Sequence, residues 1–102
     1  MKLQDEVKEF ATKNKLLHKP EVHALDLMTE LGEVAKEILK ATDYGKKEFK
    51  SREELKSELG DAFYSLMMVA NACNVDLEQA LKLVLEKYKK RLQKGGAGSE
   101  FE

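Results

Sequence analysis

Tryptophan is absent from this chain of 102 residues, cysteine and proline occur once each, and histidine occurs twice. Each scarcity removes a class of protein. A single thiol, Cys73, cannot form an internal disulfide, which excludes a disulfide-stapled scaffold, and its place in an apolar run predicts a packed thiol in a reducing compartment. One proline and six glycines are too few for a collagen-like or linker-rich chain. The net charge of −1 provides no basic field for duplex nucleic acid, so none is expected as a partner. No apolar run approaches the roughly 20 residues that a membrane helix requires. The N-terminal stretch MKLQDEVKEF is charged throughout and carries no secretion signal. A cytoplasmic protein without a membrane partner is the expectation.

What is present favours helices. Hydrophobic residues make up 42% and charged residues 36%, a balance that suits a helical domain better than a disordered or all-β one. Apolar residues recur at helical spacing in four segments. The first, about Leu3 to Leu17, carries Leu3, Val7, Phe10, Ala11 and Leu17. Pro20 can open the second, because proline is tolerated at the first helical position, and Ala24, Leu27, Leu31, Val34, Ile38 and Ala41 form its stripe. The loop TDYGKKEFK interrupts the pattern, and S-R-E-E from Ser51 reads as a capping box for the third helix. That helix is apolar nearly all round in its second half and belongs at the centre, with Cys73 closing its stripe. Asn74 and Val75 make a turn, Asp76 with Gln79 repeats the capping logic, and Leu77, Leu81, Val84, Leu85, Tyr88 and Leu92 form the fourth stripe. Short connections argue for antiparallel neighbours. The fold class is all-α, an antiparallel bundle of about four helices over residues 1–94, followed by a tail at 95–102 that resembles a disordered end or a remnant of cloning. A chain this short builds only a modest core, so completion by oligomerisation is expected.

Two stretches say nearly the same thing, TELGEVAKE from Thr29 and SELGDAFYS from Ser57. Residues three apart on a helix lie about 60° apart around its axis, so Glu30 projects with Glu33 and Glu58 with Asp61. Both pairs border an apolar stripe and hence a helix-helix seam. Asp26, Glu30, Glu33 and Glu37 form one acidic ridge; Glu54, Glu58 and Asp61 form another. Neither ridge contains a cation of its own, since Lys36 and Lys40 lie well round the cylinder. Facing carboxylates raise one another's pKa values, so a positive occupant is required. Oxygen ligands without histidine or thiolate select a hard cation, Mg2+ or Mn2+. Gly32 and Gly60 each cost about 1 kcal/mol relative to alanine inside a helix, which points to a close approach of backbone or ligand.

These motifs, with TELGEVAKEI, LKSELGDAFYSLMMVANACNVDLEQAL and the closing KYKKR, resemble the MazG-type nucleotide pyrophosphohydrolases of the all-α dUTPase/MazG superfamily, from about Leu25 to Arg91. The resemblance implies a helical bundle that forms a homodimer or homotetramer, with the substrate site partly completed by the partner. It implies Mg-dependent hydrolysis of a nucleoside triphosphate between the α and β phosphates. Glu30, Glu33, Glu58 and Asp61 would be the metal ligands, and Lys87 and Arg91 would bind substrate phosphates. Many relatives carry a glutamate where this chain has Thr29 and an asparagine where it has Leu85. The water's proton would pass to Glu33 or Glu37.

Other residues draw ordinary expectations. His18 and His23 are five apart with Pro20 between them, which disfavours a metal pair, and His23 reads as a surface or capping histidine. Met28, Met67 and Met68 read as core filling, and Phe10 as core packing. Lys46, Lys47, Lys50 and Arg52 read as a solvated charged loop. Two further functions stay open: a phosphoribosyl-ATP or pyrimidine-specific (dCTP/dUTP) pyrophosphohydrolase, and a non-catalytic helical interaction module.

Overall fold

The computed structural model of the chain describes residues 1–95. Apart from Gly95, the tail expected at 95–102 lies outside the described residues. Four helices follow in order, α1 Lys2–Lys13, α2 Pro20–Ala41, α3 Glu53–Ala72 and α4 Leu77–Gln93, with no strand among the described residues. None is long and apolar enough to cross a membrane.

Helix ends follow local chemistry, with two departures from the sequence reading. α1 stops at Lys13 and not near Leu17, because Lys15 takes a left-handed φ of 57°, which ends helical hydrogen bonding. The Ser51–Glu54 capping box does not form. Arg52 occupies the N-cap without a side-chain cap bond, and its guanidinium is engaged elsewhere. Asp76 does cap α4, its Oδ1 accepting from the backbone N–H groups of Glu78 at 2.9 Å and Gln79 at 3.2 Å.

α2 and α3 form an antiparallel hairpin. Arg52, at the start of α3, pairs with Glu37 near the end of α2, while Ser65 and Met68, further along α3, share a cavity with His23 near the start of α2. The core is small and centred on α3, where Ala62, Met67, Met68 and Ala70 are buried, together with Ala11 of α1. α1 is fastened to the α3–α4 turn by buried Gln4. Its Nε2 donates to Asn71 Oδ1 at 3.0 Å and to Val75 O at 2.7 Å, and its Oε1 accepts from the Leu77 N–H at 2.9 Å. Each polar end of the amide is satisfied, the condition for burying such a group cheaply.

Much of the expected apolar stripes lies outside the core, Leu3, Leu31, Ile38 and Leu81 included. Met28 is 67% exposed, Phe10 is exposed, and Cys73 is an exposed free thiol. Met28 falls on the outer side of α2, and Cys73 is the C-cap of α3, beyond the packed face. α4 contains no buried residue. Between it and α3 runs an open groove of about 550 Å3, walled by Phe63, Leu66, Leu77, Ala80, Leu81 and Val84.

Candidate metal and substrate site

The two acidic motifs meet across the α2–α3 seam. Helical spacing places Glu30 and Glu33 on one face of α2 and Glu58 and Asp61 on one face of α3. The antiparallel register brings carboxylate oxygens of Glu30, Glu58 and Asp61 within 4.8 Å of one another. Glu30 and Glu58 are half-buried; Asp61 and Glu33 are exposed. Glu33 stands outside that close trio, yet it belongs to the same field. Loss of solvation at the seam raises the Glu58 pKa above its ordinary 4.5, followed by the negative charges of Glu33, Asp61, Glu30 and Glu37. A carboxylate whose pKa is raised by burial and by its acidic neighbours marks a site short of positive charge.

Glu37, one turn beyond Glu33, has a different environment. It is only 6% exposed, and Arg52 Nε approaches its Oε2 to 3.2 Å. That oxygen nevertheless accepts no well-directed hydrogen bond, so the contact is an ion pair rather than a fork of two aligned bonds. The expectation that neither ridge has its own cation is therefore corrected: Arg52 supplies one to Glu37. Arg52 also lies 3.6 Å from Glu54, whose pKa is lowered, first by its own backbone N–H and then by the Arg52 charge. Lys40, Lys47, Lys50 and Arg52 wall an open cavity of about 350 Å3 at this end of the seam, against Asp43 and Glu48.

At the opposite end the two histidines meet, contrary to their separation on a helix, because the turn after α1 folds back over α2. Their rings stack at 5.8 Å between centroids and 28° between planes. His23 is 4% exposed, not a surface residue, and its Nε2 accepts the backbone N–H of His18 at 2.9 Å. Phe10 meets Tyr64 edge to face at 6.5 Å. Pro20 between the histidines is the sequence signal that the chain turns there, and the structure places the turn at Lys15, with its positive φ.

Lys87 and Arg91 lie on α4 on either side of Tyr88, Lys87 Nζ at 5.5 Å and Arg91 Cζ at 5.7 Å from its ring centroid. The close acidic trio contains neither. Gly32 and Gly60 have open space where a Cβ would stand, so no other backbone among the described residues makes the close approach that their presence suggested.

Comparison with known proteins shows the family. The sequence profile of the MazG nucleotide pyrophosphohydrolase domain matches residues 18–95. The chain is 38% identical over 68 residues to YpjD of Bacillus subtilis, itself uncharacterized, a match spanning 64% of this chain and 60% of that protein's length. The crystal structure of YpjD, provisionally described as a pyrophosphatase, superposes with a TM-score of 0.72 and 31% identity over 87% of this chain and 91% of that one. The crystal structure of the Bacillus-conserved MazG protein, a nucleotide pyrophosphohydrolase, gives a TM-score of 0.71 with 28% identity over 85% of both chains.

Proposed function

The chain belongs to the MazG nucleotide pyrophosphohydrolase family, a hydrolase acting on nucleotide phosphoanhydride bonds, and from that premise we propose that it cleaves a nucleoside triphosphate between the α and β phosphates in a Mg2+-dependent reaction, releasing nucleoside monophosphate and pyrophosphate. The observation that carries the reading is the convergence of Glu30, Glu58 and Asp61.

The donor set fits a hard divalent cation. Three carboxylates offer oxygen alone, and the raised pKa of Glu58 reflects first its loss of solvation at the seam and then the negative charge of its acidic neighbours. Glu30, Glu58 and Asp61 would hold the ion, with Glu33 as a fourth ligand or a partner to bound water; Mn2+ meets the same chemistry. A bound ion would supply polarisation of the phosphate oxygens and would offset charge on the leaving group. The protein's part is to orient and to accept a proton. Of the two candidate bases, Glu37 is buried against Arg52, whereas Glu33 is exposed and faces Glu58. A Glu33 carboxylate oxygen accordingly takes the proton of the attacking water. Glu37 holds Arg52 against the seam. Lys87 and Arg91 neutralise the phosphates, delivered from α4 once its apolar face is covered by a second copy in a homodimer or homotetramer. The fold occupies residues 1–94, and the compartment is the cytoplasm.

Pyrophosphate release from a panel of nucleoside triphosphates, with and without Mg2+, tests the reading. Metal-dependent release from several triphosphates is expected. Release only from phosphoribosyl-ATP, dCTP or dUTP would narrow the substrate, and no release from any nucleotide would leave a helical interaction module.

A further inference from the structure

The α2–α3 groove has two unlike ends, and the carboxylate trio lies between them. Beyond Glu37 stands the cavity with four cationic residues, Lys40, Lys47, Lys50 and Arg52, against two acidic ones. Beyond Glu30 and Asp61 stands a smaller cavity of about 210 Å3. Its walls are Leu16 and Met68, the rings of His18 and Tyr64, and the polar groups of Asp26 and Ser65. Asp26 precedes Glu30 by four residues and Ser65 follows Asp61 by four, so this cavity begins about 6 Å along the helices from the trio. One end is built for charge. The other offers apolar and aromatic surface with a few polar groups, the usual composition of a pocket for a small organic moiety.

Resting on the nucleotide reading above, we propose that the substrate lies along the groove in one direction, its nucleoside seated in the His18–Tyr64–Asp26 cavity and its terminal phosphates toward the Lys40–Arg52 end. Buried His23 is the positioning residue of that cavity. Its Nε2 accepts the His18 N–H at 2.9 Å, which pins the turn carrying Leu16 and His18 over α2 and places its own proton on Nδ1. Asp26, a wall residue one helical turn from Glu30, accepts hydrogen bonds from sugar hydroxyls. The base then lies against the open face of His18 and the edge of Tyr64, a contact that tolerates any base because each presents a π face.

The chain has only two histidines, so their imidazole C–H signals report the cavity directly by NMR. In metal-free buffer, adenosine or uridine monophosphate is expected to shift both signals, and inorganic pyrophosphate to shift neither. Ser65→Leu, which fills the cavity, removes the shifts. His18→Ala raises KM for triphosphates about tenfold and leaves kcat within about threefold, the signature of lost uniform binding. Imidazole signals that ignore mononucleotides, or that respond equally to pyrophosphate alone, overturn the assignment, whether or not Ser65→Leu folds. Imidazole shifts without pyrophosphate release from any nucleotide would retain the nucleoside cavity and reject the hydrolase reading. Release with unmoved imidazoles would do the reverse.

Discussion

α3 and α4 are written in the same pattern, yet they have opposite fates. Both carry apolar residues at three- and four-residue spacing, but α3 buries Ala62, Met67, Met68 and Ala70, whereas α4 buries nothing and leaves Leu81 58% exposed. The difference is what faces them. α3 has α2 on one side and α1 on another, while the apolar stripe of α4 borders an open groove. The α2–α3 seam packs within one chain and carries the acidic trio, although Leu31, Ile38, Leu59 and Phe63 stay 41–50% exposed; the α4 face is a surface in want of cover. Periodicity reports that a face is apolar and is silent about which molecule covers it.

The sharpest way to break the comparison is to disarm the seam alone. Asp61→Asn or Glu58→Gln is expected to lower kcat by about 100- to 1,000-fold, several kcal/mol of lost charge stabilisation, while leaving metal-free melting unchanged or slightly higher because repulsion is relieved. A large drop in melting temperature would mean that these carboxylates are structural. The converse change, Leu81→Glu on the α4 face, should shift sedimentation toward monomer and remove the concentration dependence of melting, since each buried leucine contributes about 1.5–3 kcal/mol. An unaltered oligomeric state would show that this groove is not the interface.

Arg52→Ala sharpens the distinction inside the seam by leaving Glu37 buried without its ion pair. A fully buried pair broken this way costs about 3–5 kcal/mol. Arg52 is itself 40% exposed, so a loss of about 1–3 kcal/mol in denaturant unfolding is expected. A change below about 0.5 kcal/mol would show that Glu37 needs no cation.

The seam should also respond to pH in a direction α4 cannot produce. The folded pKa of Glu58 is raised above 4.5, so its contribution to stability is present below 4.5 and lost as pH rises through the raised value. Metal-free protein should therefore lose melting temperature across that window, relative to Glu58→Gln, and added Mg2+ should abolish the difference. Opposite slopes are expected from Glu54 and Asp76, whose lowered pKa values contribute stability that is lost only as pH falls through those lowered values. Smallest of all, Gly32→Ala and Gly60→Ala, which meet open space, should each stabilise the folded chain by up to about 1 kcal/mol.

The four helices and the meeting of Glu30 with Glu58 and Asp61 were legible because each depends on spacing within one helix plus the antiparallel pairing of successive helices. What escaped depends on contacts between segments. Arg52 sits in S-R-E-E, whose capping pattern points to the helix start, and nothing in those letters directs its guanidinium across to Glu37. The histidines are five apart, a spacing that separates them on a helix, but the turn ahead of Pro20 is not helical. Cys73 continues a stripe in sequence, although the helix and its packed face end just before it. Met28 and Phe10 are apolar residues that the described residues leave uncovered, which periodicity does not report.

The Gln4 amide has a consequence for how the molecule assembles. Its partners stand 67 to 73 positions away along the chain, among the largest sequence separations the described residues allow. Ordering so long a segment costs entropy before the latch yields any return. The first helix should accordingly be the last element to lock during folding and the first to come loose, its amides exchanging with solvent sooner than those of the α2–α3 hairpin.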